Sequence, residues 1–343
     1  QAVRLLCEKR GLPIECRYLS CSRYSLRVPL FHRLPREETL DYLCRPGVDV
    51  TQNKILARAG LSRREIDTIR ETLSPGESGE TRLTREGLER IRRTLSGCTI
   101  FWDGLERHSR LALPGMTGYL RQEGLLDGVP DAVVDSGWVG SMQKMLGSAL
   151  ELLGRTRPLT GYYWGLYSLP NGVRRSDYHS CFFTPEGGLR EKVFFCNSLF
   201  EAVFTAPHGM TLAYRQEDGR FVPCYAPTAE SRKAFICRLE GLLLPYIARL
   251  AEEAAPDEEQ QRAEHETVQK LLARFMGTPD RAEAEAFGSL PFSDDVLEEA
   301  GRQIASPLTE AELTANHVFS RALAAAGAKS HHLRESAWYE GSA

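Results

Sequence analysis

No stretch of this chain approaches the roughly 18 consecutive apolar residues of a membrane-spanning helix. Nor does it open on a basic, then apolar, secretory leader. The expectation is a cytoplasmic protein with no membrane span. Paired-ligand cysteine spacing is missing as well. Nine cysteines occur, at 7, 16, 21, 44, 98, 181, 196, 224 and 237, and no two make a Cys-x-x-Cys pair. That argues against a zinc site. Most sit in apolar runs such as "VFFCNSLF", which reads as free thiols in a reducing compartment. No strong charge of one sign is present: 43 Lys+Arg stand against 46 Asp+Glu, a net of -3. No global field then favours nucleic acid or membrane. The phosphate-loop signatures GxxxxGK[ST] and GxGxxG are absent, which excludes a Walker-type nucleotide site. There is no internal repeat.

What remains is the composition of an ordinary globular protein, 42% hydrophobic and 26% charged over 343 residues. Residues 1–130 hold 22 Lys+Arg and 17 Asp+Glu, leaving the rest acidic at -8. The basic excess alternates with acids on helical patterns and reads as a solvated surface. The opening "AVRLLCEKRG" reads as mid-helix, so we take the chain as part of something longer.

Hydrophobic spacing sets the coarse map. Residues 14–23 read as a strand running into a polar turn at Ser20 to Arg23. From Pro35 to about Leu126 the pattern is helical, with Thr51, Ser62 and Thr84 as N-caps; Ser62 with Glu65 completes a capping box. "DAVVD" is a short strand, "SMQKMLGSALELLG" a helix and "LTGYYWGLYS" a second strand. This β-α-β order implies parallel neighbours. Residues 178–184 form a further strand and 191–206 one buried helix. Residues 210–225 form a hairpin turning at Asp218-Gly219. Helices follow from Thr228. The expected fold is α/β: a Rossmann-like parallel sheet, phosphoribosyltransferase-like by analogy. It occupies residues 1–227 with a helical insertion at about 36–127, and residues 228–343 form a helical C-terminal region.

The join between the first parallel strand and its helix, "VVDSGWVGSMQ", is the main candidate site. Ligands of parallel sheets gather at the carboxyl ends of strands, and Asp135 sits at such an end. Gly137 and Gly140 let the backbone turn and let a ligand approach closely. Ser141 falls at the helix start, where unpaired N–H groups and a partial positive charge favour an anion. An acid before such a loop suits ligand hydroxyls, or a divalent ion such as Mg²⁺ held with a sugar phosphate. The competing reading is structural: Asp135 caps the turn and the glycines only satisfy its geometry. Arg23, after the preceding strand, suits an anion or a surface ion pair. His208, in a Pro/Gly turn, and Glu201, seven residues earlier, are weaker candidates. Asp294 and Asp295 read as helix caps, and Trp338 with Glu340 as the residues that dock the terminus.

At these residues a resemblance becomes specific. The chain resembles the region downstream of the phosphatase-like domain in a family of large bacterial proteins, predicted hydrolases of the haloacid dehalogenase superfamily that accompany surface-polysaccharide genes. The matching residues are Asp135, Gly137, Trp138, Gly140, Ser141 and Gln143; Gly161, Tyr163 and Gly165; and Ser22 with Arg23. The resemblance implies a module that binds or transfers a phosphorylated or nucleotide-linked sugar. Asp135, Gly137, Trp138, Gly140, Ser141, Gln143, Arg23 and Ser22 would line its site, and an upstream phosphatase-like domain or a glycosyltransferase would be its neighbour. The Asp-x-Asp nucleophile of that superfamily is absent from this chain, so its hydrolytic chemistry is not carried over and no catalytic residue is assigned. Two other functions fit: a non-catalytic scaffold built on the long carboxyl-terminal helices, and DNA binding by a helix-turn-helix at 51–67. Leu56 stands there where a small residue is usual, and the second helix is acidic, so nucleic acid is the weaker partner.

Overall fold

A computed structural model describes residues 1–46, 50–73, 76, 78–253, 256–292, 302–310 and 338–342. It is a mixed α/β structure in which a three-stranded parallel sheet sits among many helices. Helix α1 spans Ala2–Lys9 and the short α2 Arg23–Arg27. The helical stretch expected from Pro35 onward forms as α3 (Arg36–Leu43), α4 (Gln52–Arg58), α5 (Arg63–Leu73), α6 (Arg85–Ser96) and α7 (Thr99–Gln122). Its caps are where the sequence places them. Thr51 accepts from the Lys54 amide and Thr84 from the Gly87 amide. Ser62 exchanges bonds with Glu65 in both directions. The apolar faces of these helices close one core around Leu43, Ile55, Leu56, Ile69, Leu95 and Phe101.

The sheet follows. β1 is Ala132–Asp135, then α8 (Ser141–Leu152), then β2 (Thr160–Gly165) and β3 (Tyr178–Phe183). The order is β1-β2-β3, all parallel, with Asp135 level with Tyr163 and Tyr163 level with Ser180. Alternation along each strand puts Val133, Asp135, Gly161 and Tyr163 on one face. Helix α8 lies over that face, because its Gln143 is bonded to Tyr163 and to the backbone at Leu159. The opposite face carries Val134, 68% exposed, and Tyr162, 49% exposed. A second core joins α7 and α8 through Met116, Leu120, Leu146 and Leu150.

Two expectations are corrected. Among the described residues, 14–23 pair with no strand, and residues 13–22 run as irregular chain. Side chains take up some of their backbone groups instead. The Ser20 amide donates to the Tyr119 hydroxyl, its carbonyl accepts from Tyr214, and the Cys16 carbonyl accepts from Arg4 Nε. The expected single helix over 191–206 is two, α9 (Leu189–Phe194) and α10 (Asn197–Val203), with Phe195 and Cys196 extended between them. The Cys196 amide turns to the Met276 sulfur at 3.3 Å, and the break lowers Phe195 into an aromatic core with Trp138, Phe182 and Phe183.

The hairpin forms as expected, β4 (Thr211–Glu217) with β5 (Arg220–Tyr225), turning at Asp218 and Gly219, both at positive φ. Then come α11 (Glu230–Glu252), α12 (Glu258–Gly277) and α13 (Arg281–Gly288). A two-residue ladder pairs Pro291–Phe292 with Arg302–Gln303. Trp338 does dock the terminus: it is fully buried, and its indole N–H donates to the Met276 carbonyl at 2.8 Å. Asp294 and Asp295 lie outside the described residues. Among the described residues, no helix is long and apolar enough to cross a membrane.

Candidate functional site

The loop after β1 is built by short-range chemistry. Asp135 ends the strand, and its Oδ1 accepts the Gly137 amide at 2.9 Å, an Asx turn that reverses the chain. The chain then buries Trp138, whose carbonyl accepts the Tyr167 amide at 2.9 Å and whose indole N–H donates to Glu201 Oε1 at 2.5 Å. Gly140 is the N-cap of α8, at φ +70°, where an L side chain is strained. It also has no room, since a Cβ there would lie 2.5 Å from the Tyr178 ring. Among the described residues, no side chain caps α8, so its first-turn amides keep their capacity for an anion.

Several residues of the motif are used internally. Gln143 is buried; its amide nitrogen donates to the Leu159 and Asp177 carbonyls at 2.6 and 2.9 Å, and its oxygen accepts from the Tyr163 hydroxyl at 2.7 Å. Gly161 is glycine because Gln143 crosses β2 where its Cβ would be. Ser22 caps α2 in a capping box, and its hydroxyl donates to the Thr211 carbonyl at 2.6 Å. Gln143 and Ser22 therefore hold the loop and the α2 terminus in place, and neither offers its polar atoms to a ligand. His208 lies in a separate group. One ring nitrogen meets the Tyr18 hydroxyl at 3.0 Å, the other the Gly209 carbonyl at 2.8 Å, and the ring stacks on Tyr225.

Left with polar atoms to offer are Asp135, Glu201, Arg23 and Ser141, with the α8 amides. The carboxyl groups of Asp135 and Glu201 are both raised above their ordinary range. For Asp135 burial is the cause, opposed by the Gly137 amide. For Glu201 burial again leads, opposed by the Trp138 N–H; Asp135 adds repulsion and Arg23 offsets part of it. The two acids and Arg23 thus share one electrostatic neighbourhood. Cys21 stands in it too: burial, with the charge of Asp135, pushes its thiol up to about 12. Among the described residues, the Arg23 side chain makes no ion pair and no hydrogen bond. Arg27, one turn on, pairs with Glu38 at 2.9 Å. Glu201, a weaker candidate from sequence, thus joins Asp135 through Trp138; its spacing to His208 did not bring those two together.

Among the described residues, no group of three His, Cys, Asp or Glu side chains could hold a metal ion. Asp135 and Glu201 make a two-carboxylate set at most, and the positive charge of Arg23 beside them disfavours a cation. Mg²⁺ does not fit this arrangement well.

The helix-turn-helix segment folds as α4 and α5 around Gly60, at φ +80°. Leu56 is fully buried. On α5, Arg63 and Arg70 both pair with Asp67, and Glu65 is bound to Arg107 and His108 of α7. Of the α5 arginines that could meet a phosphate backbone, Arg63 and Arg70 are thus compensated by Asp67.

These features define a mixed α/β protein in which Asp135 ends a parallel strand and Glu201 is bonded to Trp138, three residues further on. No protein-family model matches the chain, and no curated protein matches it.

Proposed function

We propose that the chain binds a phosphorylated or nucleotide-linked sugar at the end of β1, as the C-terminal module of a haloacid-dehalogenase-like hydrolase family protein of surface-polysaccharide metabolism. The sheet is taken as Rossmann-like, with phosphoribosyltransferases an analogy only. The observation that carries this reading is the group formed by Asp135, Glu201 and Arg23 beside the uncapped start of α8. Carboxylates accept hydrogen bonds from sugar hydroxyls. The arginine and the helix amides suit a phosphate, the first by a planar fork of donors and the second by partial positive charge. One ligand reaching both would give the ionised acids hydrogen-bond donors and Arg23 an anionic partner.

Calorimetric titration of the full chain with a panel of sugar phosphates and nucleotide sugars tests this. Binding by at least one member is expected. Asp135→Ala and Arg23→Ala should each weaken it by roughly tenfold or more, a loss of about 1.5–3 kcal/mol for a hydrogen bond to a charged group. Retained affinity in both variants would overturn the assignment.

A scaffold role has its own observation. On α11 and α12, Leu242 is 69%, Tyr246 52% and Leu271 61% exposed. Size-exclusion chromatography with light scattering, alone and with a glycosyltransferase of the same gene cluster, separates the readings: a complex that survives Asp135→Ala favours the scaffold.

A further inference from the structure

Among the nine cysteines, Cys7 and Cys16 are the two whose sulfurs meet: Cys16 Sγ lies 3.8 Å from Cys7 Sγ. Among the described residues, no other two thiols hydrogen-bond to each other. Cys7 is on the inner side of α1 and buried, while Cys16 is half-buried on the irregular segment that follows. The two are held together by more than their sulfurs. Arg4 Nε of α1 donates to the Cys16 carbonyl at 3.2 Å, and the Leu12 amide donates to the Cys7 carbonyl at 2.9 Å. The chain therefore folds back on α1 between them. A disulfide needs its sulfurs about 2.05 Å apart, less than 2 Å closer than they stand.

We propose that Cys7 and Cys16 form a thiol–disulfide exchange site that takes a low-molecular-weight disulfide as its oxidant. The Cys16 thiolate, the more accessible of the two, attacks one sulfur of the oxidant. The oxidant's S–S bond breaks, one thiolate leaves and takes up a proton, and a mixed disulfide remains on Cys16. Cys7 then loses its proton to solvent and attacks Cys16 Sγ, displacing the second thiolate. The two protein thiols lose two hydrogens and two electrons, and the oxidant is reduced to two thiols. Burial holds the Cys7 thiol above its usual range, with Cys16 adding to this. That suits the second, intramolecular step, in which proximity compensates for a small thiolate fraction. The bond would tie α1 to the segment that runs through Tyr18 and Ser20 to Arg23.

Exposure and proximity make opposite forecasts. Cys181 and Cys237 are exposed, and neither has a thiol partner among the described residues. The full chain is incubated with mixtures of reduced and oxidised glutathione, quenched by alkylation and mapped by mass spectrometry. The expected result is a Cys7–Cys16 linked peptide lacking two hydrogens and restored by dithiothreitol, with single glutathione adducts on Cys181 and Cys237. Cys16→Ser should abolish the link and leave Cys7 unmodified. Cys7→Ser should leave glutathione on Cys16. Circular dichroism melts of both variants check that they fold. A stable glutathione adduct on Cys16 in the unaltered chain would overturn the proposal, as would a link to another cysteine or no link where Cys181 is already modified.

Discussion

At the scale of single residues, the loop after β1 shows how one motif serves two ends. Gly161 and Gln143 are one device: the glycine leaves the space through which the glutamine reaches three partners around β2 and β3. Gly161→Ala would drive a methyl group into that amide and break bonds made in a buried place. It should destabilise the protein by about 1–3 kcal/mol, the usual cost of leaving buried polar groups unsatisfied, read as a lower urea midpoint at unchanged slope. Asp135 and Glu201 differ in kind. Each keeps an oxygen that no internal bond requires, so they, and not Gln143, are the residues on which recognition is expected to depend.

At the scale of elements, the fold relies on side chains that reach between segments distant in sequence. Trp338 is the clearest case: the ring is fully buried against Phe275, and its N–H is bonded to the last turn of α12. Trp338→Ala should cost about 3–5 kcal/mol, as large buried aromatics do. Limited proteolysis should then cut the carboxyl-terminal region faster. Glu65 joins α5 to α7 in a similar way, through Arg107 and His108 while closing the Ser62 cap. Burial alone would raise its carboxyl; the Ser62 hydroxyl and amide and the His108 ring outweigh that and bring it down to about 2. A carboxyl depressed in the folded state stabilises above its unfolded value and ceases to as pH falls. Its contribution should therefore disappear between about pH 4.5 and 2. Chemical denaturation of Glu65→Gln across that range should show a weaker loss of stability on acidification than the unaltered chain.

For the molecule as a whole, stability against pH combines opposing groups. Asp135 and Glu201 bind protons more tightly folded than unfolded. Their favourable contribution is present in full below their unfolded values and declines as pH rises through the folded ones. Asp135→Asn combined with Glu201→Gln should flatten that decline, measured as thermal midpoints from pH 4 upward. The same variant should lose sugar-phosphate binding, which separates the two carboxyl groups' effect on folding from their use. A ligand that bonds the ionised acids should stabilise the unaltered chain more at neutral than at acidic pH, because binding to the folded state alone raises its stability by mass action.

Periodicity determined a good share of this. The amphipathic helices from Arg36 to Gln122, the caps at Thr51, Ser62 and Thr84, the strand–helix–strand unit around Asp135 and the turn at Asp218-Gly219 all follow from local rules that hold before any tertiary contact forms. So does Asp135 as the end of a strand. What only the tertiary structure decided is which polar groups remain available there. Gln143 and Ser22 look like site residues in the chain, yet their partners at Leu159, Asp177 and Thr211 lie 16, 34 and 189 positions away. The strand expected from residue 14 does not form: residues 13–22 run as irregular chain, and at Ser20 the hydroxyls of Tyr119 and Tyr214 take up the amide and the carbonyl. Glu201 reaches Asp135's neighbourhood only through Trp138, 63 residues earlier. Local spacing encodes what a segment becomes; long-range packing sets which of its hydrogen bonds are already taken.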